Sequence, residues 1–145
     1  MRCCVWLFYV LLLIACMGCS RTSDPGPRIN SLHAEYLKEY GWHIDTVEHP
    51  TESVDITLLP EAYEMIRNAG LDLEPYQNQS LERTTYVLKE RQATGLRLYV
   101  MIYEKDGRII GGIGTLEDWT PGVFNVSHKQ ELRDDNIISG RAESE

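Results

Sequence analysis

LRLYVMIYEKDGRIIGGIGT, residues Leu96 to Thr115, decides how this chain folds. In its first half Leu96, Leu98, Val100 and Ile102 alternate with Arg97, Tyr99, Met101 and Tyr103. Period two is the spacing of a strand, and apolar residues on both sides describe a central strand with cover on each face. Asp106-Gly107 comes next, a dipeptide favoured in type I′ hairpins because both central residues need φ > 0. Arg108 to Thr115 then returns as the neighbouring strand. Gly111, Gly112 and Gly114 fall inside it, so they do not form a phosphate cradle. A P-loop needs Lys-Ser/Thr and a helix after its glycines, and the dinucleotide fingerprint needs a strand-to-helix turn. Strand glycines mark a bulge, a bend or room for a neighbouring ring, here expected from Tyr99 or Tyr103 one strand over.

Working upstream, SLERTTYVLKE (Ser80 to Glu90) reads as a third strand, which makes the end of the sheet a three-strand antiparallel meander. PEAYEMIRNAG (Pro60 to Gly70) reads as a helix with Pro60 in its first turn, Gly70 as its stop and Ala62, Ile66 and Ala69 facing inward. LDLEPYQNQ reads as a loop. Before the helix, His43 to Glu48 and Ser53 to Leu58 read as two separate strands broken by His49-Pro50-Thr51. NSLHAEYLKEYG (Asn30 to Gly41) opens the domain as a helix. Asn30 or Ser31 caps it, Gly41 suits C′, and Leu32, Tyr36, Leu37 and Tyr40 share the inward face. The expected fold class is α+β: a small single domain with two helices packed on a mainly antiparallel sheet that ends in a three-strand meander.

The chain has 145 residues, room for one domain. Its 22 acidic residues exceed its 14 basic ones, and no basic cluster occurs. That argues against nucleic acid, whose binding rests on phosphate neutralisation, and against charge-driven attachment to an anionic bilayer. The N-terminus reads as a targeting segment. Arg2 precedes an apolar run from Val5 to Met17, thirteen residues that are too few to cross a bilayer. Leu13-Ile14-Ala15-Cys16 resembles a bacterial lipobox, which implies residues 1–15 as signal peptide and Cys16 as the lipid-bearing residue. Cys19 after Gly18 is the runner-up. SRTSDPGPR (Ser20 to Arg28) is rich in Ser, Pro and Gly and reads as a tether, giving 16–29 as a flexible linker. Residues 30–124 are then the globular domain, and 125–145 read as a polar tail without periodicity.

All four cysteines lie within the first nineteen residues, so the domain holds no disulfide, zinc-thiolate or Cys nucleophile. Cys16-x-x-Cys19 has redox spacing but lacks a following βαβ unit. His33, Glu35, Glu39, His43, Asp45, Glu48 and His49 concentrate possible metal ligands, with His43 and Asp45 on one strand face, yet no ligand spacing fixes a geometry. No G-x-S-x-G elbow occurs, and Ser127-His128 sits in the expected tail. No catalytic, cofactor or metal residue is therefore assigned. Trp42, Tyr76, Arg83, Tyr86, Tyr99, Tyr103 and Trp119 are side chains that anchor interfaces, and they serve equally to close a small core. Tyr76, in the Leu71-to-Tyr76 loop, together with Arg83 and Trp119, is the expected recognition surface.

EYGWHI (Glu39 to Ile44), VDITLLPEAYEMI (Val54 to Ile66), GLDLEPYQNQSLERTTYVL (Gly70 to Leu88) and DGRIIGG (Asp106 to Gly112) occur in an order that resembles the bacterial domain of unknown function 4830. Two departures stand out: Ile113-Gly114 replaces an acidic residue after the Gly pair, and Trp119 to Phe124 is an imperfect counterpart of a GF motif. The resemblance implies a Gram-positive lipoprotein or secreted protein and no particular activity. The expectation is a lipid-anchored module on the outer face of the cytoplasmic membrane, binding an envelope protein or ligand without catalysis. A small-molecule or metal carrier accessory to a transporter or envelope enzyme is the alternative.

Overall fold

The computed structural model describes residues 26–120 and 122–139. The expected signal peptide, residues 1–15, and both candidate lipid sites, Cys16 and Cys19, lie outside the described residues. The elements are α1 (Ser31–Glu39), β1 (Ile44–Asp55), α2 (Pro60–Asn68), a 3-10 turn (Glu74–Tyr76), β2 (Ser80–Arg91), β3 (Arg97–Lys105), β4 (Arg108–Leu116), β5 (Val123–Asn125), a second 3-10 turn (Val126–His128) and α3 (Lys129–Asp134). The five strands form one antiparallel sheet in sequence order, so the chain is an α+β domain. The sheet does not end with β4, because β5 adds to its edge.

The β3–β4 hairpin turns as its chemistry dictates, with Asp106 at φ 50° and Gly107 at φ 72°. Leu98, Val100 and Ile102 join a cluster with Leu37, Trp42, Tyr86 and Leu88. Tyr103 and Met101, of opposite parity on the same strand, join Ile66, Ala69, Leu71 and Leu73. Because strand side chains alternate, these are two cores on the two faces of one sheet. Leu37 of α1 serves the first core, and Ile66 and Ala69 of α2 serve the second. The loop after α2 is fastened down by Leu71 and Leu73, 2% and 1% exposed. The Tyr63 hydroxyl, on α2, also donates to Asp72 at 2.9 Å and Glu74 at 3.2 Å.

Four expectations are corrected. First, β1 is a single strand of twelve residues through Pro50. It lies at the sheet edge and carries register shifts between Ile44 and Thr46, Val47 and His49, and His49 and Glu52. An edge strand tolerates the missing Pro donor, and the bulges absorb the bend that the sequence suggested as a break. Second, α1 is turned from its expected face: Leu32 is 56% exposed, whereas His33 is fully buried beside Leu37. His33 Nδ1 stands 2.7 Å from the Tyr86 hydroxyl. Its Nε2 is 3.0 Å from Glu104 Oε2 but out of line for a hydrogen bond. These polar partners let an imidazole occupy a position that hydropathy assigned to Leu32.

Third, the ring over the strand glycines is not Tyr99 or Tyr103. A Cβ on Gly114 would lie 2.0 Å from Cζ of Phe124, its partner across β4 and β5. Fourth, residues 125–139 are not a polar tail. Val126, Leu132 and Ile138 are buried in the first core. Gln92 and Ile138 form a bridge, and the backbone bonds Ala93 N to Ile137 O (2.9 Å) and Ser139 N to Arg91 O (3.0 Å) run beside it.

The cap of α1 is as expected: Asn30 Oδ1 accepts from the Leu32 N–H at 2.9 Å. Asn30→Ala is expected to cost about 1 kcal/mol in urea denaturation, while Ser31→Ala, one position inside the helix, costs less.

Candidate binding groove

Where the sheet ends at β5, two helices flank its edge. Val123 belongs with the second core and Phe124 with the first. The strand therefore runs between α2, which packs on one face, and α3, whose Leu132 packs on the other. The space outside it is an open groove of about 750 Å³. Pro60, Met65 and Val123, with narrow edges of the buried Ala69, Phe124 and Leu132, contribute its apolar surface, and Glu61, Glu64, Glu131 and Asp135 its carboxylates. No Lys or Arg lines it among the described residues. Glu64 pairs with Arg67 at 2.6 Å and Glu131 with His128 at 3.1 Å, both in exposed positions. Glu61 and Asp135 have no cationic partner among the described residues.

Backbone polarity gives the groove a second property. The Leu116 N–H donates to Gly122 O at 2.7 Å. In an antiparallel ladder bonded pairs alternate with non-bonded ones, so Phe124 also points its peptide groups at β4. Val123 and Asn125 then point theirs away from β4, toward the open edge. Asn125 is held by its own side chain, whose Oδ1 accepts from Ser127 N at 2.9 Å and Ser127 Oγ at 2.8 Å. Its amide nitrogen rests on Gly70, where a Cβ would meet it at 2.0 Å. Ser127 thus braces Asn125 from behind, and His128 lines the groove beside Glu131 in an exposed pair.

The α3 wall is fixed by a buried ion pair. Lys129, the first residue of α3, reaches Glu90 near the end of β2, and their side chains are 9% and 2% exposed. The same ammonium donates to Gly41 O and lies 4.5 Å from the Trp42 ring centre. Trp42 Nε1 donates to Val126 O at 2.7 Å. Glu90 also faces the His43 Nδ1 at 3.0 Å. Burial alone pushes the Glu90 carboxyl upward, but the bonds to Lys129 and His43 outweigh it and hold it below the ordinary value. These contacts tie α3 to the end of β2 and to the turn that follows α1.

The expected recognition trio is not brought together. Tyr76 is half-buried and lines a shallow depression with Lys105, Asp106 and Arg108 at the β3–β4 hairpin. Arg83 is committed to Glu52 through Nε at 3.2 Å and Nη2 at 2.6 Å. Trp119 is 48% exposed beyond the other end of β4. Leu116 pairs with Leu98 and Arg108 with Lys105. About 25 Å of strand therefore separates Tyr76 from Trp119 at the ordinary rise per residue. The His43 and Asp45 pair considered for metal is likewise engaged elsewhere, with Asp45 3.7 Å from Arg91. No group of three or more potential metal ligands occurs among the described residues.

Neither the groove nor its Lys129–Glu90 support was read from the sequence. A signal for an ordered end was present in Asn125, which caps the 3-10 turn leading into α3, followed by Leu132 and Ile137-Ile138. Comparison with protein-family models, with curated proteins and with solved structures gives no match.

Proposed function

We propose that this chain is a lipid-anchored extracytoplasmic module that binds a component of the cell envelope and does no catalysis. The observation that carries the reading is the groove itself: about 750 Å³ in size, floored with apolar side chains, rimmed with carboxylates and open along the sheet edge. In this reading the β2–β3–β4 meander is the rigid frame and the helices packed on it are the walls. Cys16, within its lipobox, carries the lipid, and the Ser20-to-Arg28 stretch spaces the domain from the bilayer. The resemblance to the domain of unknown function 4830 belongs to the same proposal. A second reading, a small-molecule carrier, draws on the groove volume, which falls within the roughly 300–1,000 Å³ of ligand pockets.

Native intact-mass measurement on protein extracted from its own membrane tests both. A mass matching cleavage before Cys16 plus a diacylglyceryl group is the expected result, and a match to Cys19 would move the lipid site. A further, dissociable small mass would favour the carrier. An unprocessed chain would overturn the anchored module.

A further inference from the structure

We infer that the groove receives an extended cationic peptide segment of an envelope protein, laid beside β5 as an added strand. The inference rests on the groove being the binding site and names what enters it. Three independent features converge on the same few residues. The edge groups of Val123 and Asn125 point out of the sheet, and a neighbouring strand is the partner that satisfies a row of such groups. The surface beside them, chiefly Pro60, Met65 and Val123 with the edges of Phe124 and Leu132, suits apolar side chains that alternate along an added strand. The rim supplies Glu61 and Asp135 on opposite sides, and the exposed pairs at Glu64 and Glu131 are held too weakly to compete with an incoming Lys or Arg.

Charge also separates this occupant from the others. An acidic rim is repelled by anionic lipid headgroups, so the bilayer surface is a poor partner. A small cation would stay largely uncovered in a groove open along its length. A second copy of this chain would bring its own acidic rim against the first. An extended segment carrying Lys or Arg around apolar residues satisfies floor, rim and edge together. Because β5 has three residues, the backbone bonds number only a few. Charge therefore contributes a large share of the affinity, and salt should weaken binding.

The test uses the full chain in lipid nanodiscs, ¹⁵N-labelled, with two blocked heptapeptides: one alternating Lys with Val and Leu, the other with Glu in place of Lys. The Lys peptide is expected to bind, shift the Val123 and Asn125 amides and protect both from exchange. The Glu peptide is expected to show no binding. Glu61→Gln combined with Asp135→Asn should weaken the Lys peptide about tenfold, as should raising salt to about 0.5 M. Unchanged amide signals elsewhere will show that this exposed double variant remains folded. Equal binding of both peptides, or protection that falls on β1 and spares β5, would overturn the inference. If the Lys peptide fails while a photo-crosslinker at Met65 still captures an envelope component, the peptide inference falls and the binding module stands. If both fail, both fall.

Discussion

Glu90→Ala is expected to lower stability by about 3–5 kcal/mol, because it leaves the Lys129 ammonium buried without its counter-ion. Few single changes in a small domain should cost as much, since total stability is only on the order of 5–15 kcal/mol. Replacing both partners by apolar residues, Glu90→Leu with Lys129→Met, should recover most of the loss, since no charge then remains to be desolvated. Urea denaturation of both variants separates the pair's worth from the cost of breaking it. The pH dependence has a definite sign. The folded state holds the Glu90 carboxyl below its ordinary value despite its burial, through Lys129 and His43. Its contribution is therefore complete above the unfolded carboxyl value of about 4.3 and is lost as pH falls through the lower folded value. The double variant should lack that part of the acid destabilisation. Partial fraying of residues 129–139 in Glu90→Ala, seen by hydrogen exchange, would connect the loss to the α3 wall.

Gly114→Ala is expected to cost about 3 kcal/mol. The added Cβ would fall 2.0, 2.2 and 2.4 Å from three atoms of the Phe124 ring. The ring cannot retreat freely, because it packs against Trp42 at a tilt of 42° with centroids 5.5 Å apart. Overfilling a packed site commonly costs about 1–3 kcal/mol, and this contact lies at the severe end. Phe124→Leu alone should destabilise by leaving a void. Combined with Gly114→Ala it should cost less than the sum, so a double-mutant cycle reports a favourable coupling. Gly114→Ala within about 0.5 kcal/mol of the parent would show that the ring does not occupy that space.

The parts of the fold legible in the sequence are those that local chemistry dictates. Asp106-Gly107 announced its hairpin, Asn30 its cap, and the alternation from Leu96 to Tyr103 its strand covered on both faces. What escaped depends on tertiary partners. His33 is buried because Tyr86 and Glu104 are there to meet it, and nothing within α1 reveals them. Pro50 reads as a break until the strand is known to be an edge. The tail was misread for two reasons. β5 has three residues, too few to show a period. Lys129 is among the least suspect surface residues until Glu90, 39 positions earlier, is placed beside it. The β5 and α3 sides of the groove are built from these illegible parts, whereas Tyr76, Arg83 and Trp119 are spread along the sheet, with the arginine committed to Glu52. Trp42 and Tyr86, whose ring chemistry suits an interface or a small core, are core.

The most direct measurement places a photo-crosslinking phenylalanine analogue at Met65, in the groove, and separately at Glu48, on the exposed outer β1 edge, in the full chain expressed in its own cells. A defined adduct from Met65, absent from Glu48 and lost with Glu61→Gln and Asp135→Asn, is the predicted result. The same adducts from both positions, or adducts from Glu48 alone, would contradict the proposed binding role of the groove between α2 and α3.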